Sequence, residues 1–347
     1  MKTARPSRSR GYTIIELMVA ITISLIVLAG LVTLFAGNSR ERHAIERANE
    51  QTEDGRYVLQ LIGDDLRNAG YLASFNPGTF AGPNPQLTVP LTLPDPCATT
   101  VAALNSAMVL AVQGYDNGAN APGCVADLRA GTDILVVRRA STCAVGTAGC
   151  DPQVGGDAYL QASGCAGEFT AGNYYVLDTN LANLTLHQKD CVTAAPLNQY
   201  RVHIYFVANN DQAGDGIPTL KRAELGAGAF TIVPLVEGVE NLQIEYGLDT
   251  SVPTTGSAAV YTADPNTYNG CAPATCVSNW GNTVEAKISL LTRDLTTTQG
   301  YIDAKTYTLG LTAAGAANTV GPFGDGYRRH VYYTAARLNN PAGRNSP

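Results

Sequence analysis

The chain has 347 residues, enough for one large domain or two smaller ones. With 35 Gly, 18 Pro and 15% charged residues it is not a coiled coil, and its body reads as turn-rich and β-containing. The formal net charge of -6 becomes -10 (19 basic against 29 acidic) once Lys2, Arg5, Arg8 and Arg10 are set apart. That balance argues against nucleic-acid binding, which relies on Lys and Arg neutralising phosphates.

Residues 1–10 are polar and basic, and Tyr12 to Ala36 then forms an apolar run of 25 residues. Such a run can span a bilayer of about 30 Å. The basic flank keeps residues 1–11 cytoplasmic and sends the rest of the chain outward. A secretory signal peptide is a poor fit, because the run is too long and no A-x-A site follows it. A plain single-pass anchor explains the hydrophobicity and the basic flank. It does not explain Glu16, the one charged side chain between Gly11 and Gly37. A carboxylate in hydrocarbon is costly, so its presence there marks a functional position.

Beyond Gly37 the chain turns polar but keeps a helical period. Ile45, Ala48, Thr52, Gly55, Leu59, Ile62, Leu66 and Ala69 recur with spacing 3,4,3,4,3,4,3, which predicts an apolar or small stripe on one face of a helix. A helix over residues 12–72 would be about 90 Å long. Its inner half, 12–36, must face lipid or other subunits. Its outer half, 37–72, would lay the stripe on a sheet. Six prolines between Asn76 and Pro96 then predict an extended connector into a head over residues 73–347.

The head reads as strands separated by Gly, Asn, Asp and Pro turns. Candidates are 108–115, 134–139, 174–178, 203–208, 219–225, 242–248, 284–293 and 330–338. In the clearest, Val284, Ala286, Ile288 and Leu290 alternate with Glu285, Lys287 and Ser289, predicting one buried and one wet face. The fold expected is α+β: a long N-terminal transmembrane and amphipathic helix packed on an antiparallel β-sheet head. The Gly/Ala/Asn-rich stretches 113–132, 140–172 and 250–283 read as surface insertions.

All eight cysteines (Cys97, Cys124, Cys143, Cys150, Cys165, Cys191, Cys271 and Cys276) follow the apolar run. An even count on one side of a membrane span reads as disulfides in an oxidising compartment. Local spacing makes Cys271–Cys276 and Cys143–Cys150 plausible pairs, but eight cysteines allow 105 connectivities. Zinc is disfavoured: there is no CxxC, and the four His are scattered. No nucleophile elbow, Walker loop or HExxH occurs, so neither an enzyme nor a cofactor is expected. His187 and His203 read as strand or loop residues. The oxygen-rich stretch from Asn209 to Gly216 lacks EF-hand spacing and reads as a hairpin turn, with calcium the lesser alternative.

The segment Gly11-Tyr12-Thr13-Ile14-Ile15-Glu16-Leu17-Met18-Val19 resembles the prepilin cleavage motif of type IV pilins and type II secretion pseudopilins. The resemblance implies a cut by prepilin peptidase between Gly11 and Tyr12, methylation of the new amine at Tyr12, and Glu16 as the assembly carboxylate. Tyr12 departs from the commoner Phe or Met but stays aromatic. Four further segments, 65–71, 133–139, 235–247 and 328–340, look like PilW-type minor pilins, although Asn339 stands where a basic residue is usual. That resemblance implies an inner-membrane protein with a periplasmic head that joins other minor pilins and the major pilin, primes assembly and lies at the pilus tip. In some systems the tip complex carries an adhesin. A type II secretion pseudopilin of the GspJ kind is the alternative, and a membrane-anchored periplasmic enzyme or binding protein a more distant one.

Overall fold

The computed structural model describes residues 11–346, so of the leader expected over 1–11 only Gly11 is among the described residues. The chain divides into two compact units, Met1–Glu50 and Gln51–Pro347. Helix α1 (Ile14–Asn68) contributes to both. It begins where Thr13 caps it and ends before Gly70, whose φ of 69° is a left-handed conformation that glycine adopts without steric cost.

In the first unit, Ile14–Phe35 is a 22-residue stretch of mean hydropathy 2.7 with none of its surface buried. It is long and apolar enough to cross a membrane.

In the second unit α1 is an amphipathic core helix. Gly55, Val58, Ile62, Leu66 and Ala69 are buried. The predicted stripe is thus followed from Gly55 onward, with Val58 rather than the half-buried Leu59 at its centre; Ile45 is exposed. A three-four repeat leaves two adjacent residues competing for the same place, and only the packing partner decides between them.

The connector after α1 is irregular and leads to α2 (Val101–Ala107), β1 (Val112–Tyr115) and β2 (Ile134–Ala140). Next come β3 (Tyr159–Ala162), α3 (Ala166–Thr170), β4 (Tyr175–Asp178), β5 (Leu197–Ala208), β6 (Thr219–Gly226) and β7 (Ala229–Glu237). The remainder is β8 (Val239–Leu248), β9 (Val260–Thr262), α4 (Pro273–Gly281), β10 (Thr283–Arg293), β11 (Tyr307–Leu311), β12 (Ala317–Val320), β13 (Arg329–Arg337) and α5 (Asn339–Asn345).

The strand pairs among the described residues are antiparallel, as expected, but they form three sheets rather than one. The first runs β1-β2-β5-β3-β4 with β6 on β5 and β7 on β6; the second is β13-β10-β8-β9; the third is the hairpin β11-β12. One core lies among α1, the first sheet (Leu135, Val137, Tyr205) and the second (Leu242, Ile244, Ile288). A second core covers the opposite face of the first sheet, where Ile134, Val136, Val202 and Ile204 meet Leu72, Phe75, Leu104 and Met108. Strand β2 is therefore buried on both sides, which explains its unbroken Ile-Leu-Val-Val run.

Three expectations need correction. Residues 140–172 are not simply an insertion: β3 lies between β5 and β4 and is fully buried. Nor are 250–283, since Val277 and Trp280 of α4 enter the first core. Finally, the far face of the second sheet is not uniformly wet. Ser289 and Gln243 are buried, and the β11–β12 hairpin lies against that face, with Asn318 Nδ2 donating to Gln243 Oε1 at 2.8 Å.

Gly55 sets how closely α1 approaches β13. A Cβ there would come within 2.5 Å of the Tyr332 ring, whose hydroxyl donates to the Gln51 carbonyl at 3.1 Å. Gly55→Val should therefore destabilise the head by about 1–3 kcal/mol, despite valine's better helix propensity. The measurement is the urea midpoint of the detergent-solubilised chain, and an unchanged midpoint would contradict this packing.

Candidate functional site

Glu16 sits at the third position of α1, directly after the cap. Its Oε2 accepts from the Thr13 backbone N–H at 2.9 Å and from the Thr13 hydroxyl at 3.0 Å, while the Glu16 N–H donates to Thr13 Oγ1 at 3.3 Å. This is a reciprocal capping box: each side chain satisfies a backbone donor that the first helical turn leaves open. The T-x-x-E spacing that produces it stands in the sequence at Thr13–Glu16. Gly11 and Tyr12 lie outside the helix, and both are exposed. The arrangement holds the carboxylate against Thr13, the residue that follows Tyr12.

The head contains polar clusters that sequence reasoning missed. Asp65, on the buried face of α1, accepts from Arg139 Nε at 2.5 Å, pairs with His203 Nδ1 at 2.7 Å, and accepts from the Tyr205 hydroxyl at 2.9 Å. Burial pushes its carboxyl upward, but His203 and Arg139 outweigh burial and hold it far below the ordinary carboxylate value. The cluster ties the last turns of α1 to β2 and β5.

A second cluster centres on Arg329 of β13, whose side chain is almost fully buried. It donates to Glu240, to Asp303 at 2.8 Å and to Asp325 at 2.6 Å. Burial alone pulls the guanidinium down, and Asp325, Glu240 and Asp303 reverse this and hold it above its ordinary value. Glu240 also takes Arg129 at 3.0 Å. Asp133, wholly buried, accepts the backbone N–H groups of Asn117 and Ile244 at 2.8 and 2.7 Å. Burial raises it well above its usual value.

These contacts join the four head segments singled out from sequence. Asp65 meets Arg139, Glu240 meets Arg329, Asp133 meets Ile244, and Asn340 Nδ2 donates to the Ala69 carbonyl at 3.1 Å. They fasten one element to another.

The eight cysteines form four pairs: Cys97–Cys124, Cys143–Cys150, Cys165–Cys191 and Cys271–Cys276, with Cα–Cα distances of 5.6, 5.7, 4.8 and 5.3 Å. His187 pairs with Glu168 at 2.8 Å and His203 with Asp65, so the two histidines belong to separate clusters. The stretch 209–216 is the β5–β6 hairpin loop. Asp215 accepts from the backbone of Gln212 and Ile217, and Lys221 Nζ donates to the Asp211 carbonyl at 2.8 Å. Its oxygens are thus turned to backbone donors and to an ammonium group. Among the described residues no group of three or more His, Cys, Asp or Glu is placed to hold a metal ion.

Comparison with known proteins gives two family matches. Residues 204–340 match the family described as type IV pilus-assembly protein W, and residues 6–32 match the prokaryotic N-terminal methylation motif. The first spans Glu240, Arg329 and Asn340; the second spans Gly11, Tyr12, Thr13 and Glu16. No curated protein matches the chain. Among solved structures, a type IV-like pilin from Thermus thermophilus is similar over 84% of this chain and 96% of its own, at 12% identity and a TM-score of 0.36.

Asp65 yields a pH dependence. Its folded pKa is depressed, so its contribution to stability is complete above the unfolded carboxylate value near about pH 4 and is lost as pH falls through that value toward the folded one. Asp65→Asn should cost about 3 kcal/mol at neutral pH and flatten the loss of stability on acidification from about pH 5 downward. Denaturant titrations of both chains across that range check it; parallel pH profiles would contradict it.

Proposed function

We propose that this chain, a type IV minor pilin of PilW type, waits in the inner membrane as a processed subunit and is withdrawn from it to initiate a pilus. In this reading prepilin peptidase cuts between Gly11 and Tyr12 and the Tyr12 amine is methylated. Residues 12–36 hold the chain in the membrane with its N-terminus cytoplasmic and its head, residues 73–347, periplasmic. Residues 37–72 continue the helix into the head. The neighbours are other minor pilins and the major pilin. The chain's role is structural rather than catalytic.

The observation that carries this reading is Glu16: one carboxylate on an exposed apolar helix, next to a cleavage motif. Cleavage would create a positive amine at Tyr12. In a dry filament core an unpaired charge is strongly unfavourable, so the Tyr12 amine of one subunit and Glu16 of its neighbour would be driven together and would fix the axial register. Until then the two Thr13 bonds keep the carboxylate satisfied within its own helix. The large disulfide-bearing head supports a low-copy position at or near the tip, where lateral crowding is relaxed.

Glu16→Ala should insert in the membrane and be cleaved normally, yet be absent from sheared pili on immunoblotting; incorporation at the wild-type level would overturn the proposed pairing. Deleting the whole chain should abolish surface piliation and twitching while leaving type II secretion intact. Loss of secretion with normal pili would assign the chain to the pseudopilins instead.

A further inference from the structure

Helix α5 closes the end of α1. Asn340 Nδ2 reaches the Ala69 carbonyl, and Arg344 Nη1 donates to the Gly70 carbonyl at 3.1 Å. That contact uses one of the five N–H donors of Arg344. The guanidinium also lines an open cleft of about 500 Å³ between α5 and the start of the connector, together with Asn76, Thr79, Asn339 and Asn340. The polar side chains of this lining are amides, a hydroxyl and a guanidinium; none is an Asp or a Glu. Sharing Gly78, Thr79 and Arg344 with the cleft is a recess of about 10 Å³, also lined by Asn345. Asn345 is 5% exposed, and its Nδ2 has no hydrogen-bond partner among the described residues.

Two features mark this place. Asp65 and Arg329 are each met by groups of opposite charge, whereas Arg344 has no carboxylate partner among the described residues. Burial pushes it down to about 10. A half-buried cation bonded to one carbonyl and a buried amide donor without an acceptor among the described residues adjoin one water-sized recess. Leaving such donors unmet is costly, and a charged acceptor satisfies them better than a neutral one.

We propose that this cleft is a carboxylate-binding site. One oxygen of the carboxylate enters the recess to accept from Asn345 Nδ2, and the other faces the free edge of the Arg344 guanidinium. Planar carboxylates match that edge in shape as well as charge.

The test uses the full mature chain, 15N-labelled in detergent micelles, with sodium acetate as the probe at constant ionic strength and chloride as the balancing anion. Acetate should produce saturable shifts of the Asn345 side-chain amide and the Arg344 Nε–H. Affinity should fall about tenfold or more in Arg344→Gln and in Asn345→Leu. The second variant leaves the Gly70 contact in place, so it keeps the test independent of any loss of folding in the first. A linear, non-saturating response in the wild-type chain would mean that water alone fills the recess, and equal affinity in both variants would place acetate elsewhere; either overturns the site. Because binding is read on the isolated chain, its failure is distinct from failure of the assembly reading.

Discussion

A carboxylate buried beneath a helix must be paired, and in the head that requirement fixes the position of α1. Asp65 is held by Arg139, His203 and Tyr205, so the helix can neither slide nor rotate on the first sheet without stranding a charge. The apolar face would tolerate several registers, because Val58, Ile62 and Leu66 are interchangeable in kind. The polar fastening admits one. The rest follows from that register: Gly55 meets Tyr332, Gly70 turns the chain into the connector, and α5 reaches the last carbonyls of α1. The Arg329 cluster performs the corresponding task for β13, tying its start to β8 and to the long excursion between β10 and β13.

The part of this legible in the sequence was the part governed by local periodicity. The apolar run announced a helix, and the three-four stripe and the alternation in β10 announced elements together with their buried faces. The stretches misread as insertions, β3 and α4, are short buried elements flanked by Gly, Asp and Asn. Four residues such as Tyr159–Ala162 carry too little pattern to stand out, and their burial comes from strands on either side. The polar fastenings were not legible because their partners are distant: Asp65 lies 74 positions from Arg139 and 138 from His203. Their one trace was that Asp65, Arg139, Glu240 and Arg329 fall inside the segments that carried the family resemblance. The cysteines divide in the same way. Pairs separated by 5 and 7 positions were suggested by spacing, whereas those separated by 26 and 27 depend on the fold.

The N-terminal helix poses the opposite problem. Its apolar side chains from Ile14 to Phe35 are unburied among the described residues of their own unit. Within this surface the Thr13–Glu16 capping box gives the one carboxylate a local role that its charge did not suggest. It completes the helix start and keeps a costly group hydrogen-bonded. A carboxylate satisfied in this manner can reside in a membrane and still present its charge to an amine on another subunit. Under the proposed function Glu16 would thereby serve both a stored and an assembled state.

Processing is the step on which this account turns, because without a free amine at Tyr12 the carboxylate has no complementary charge to meet. Its most direct test is the intact mass and N-terminal residue of the protein recovered from membranes and from sheared pili. The result predicted is a chain beginning at Tyr12 and heavier by one methyl group on its amine. Recovery of a chain that retains residues 1–11, or one that begins at another residue, would contradict it.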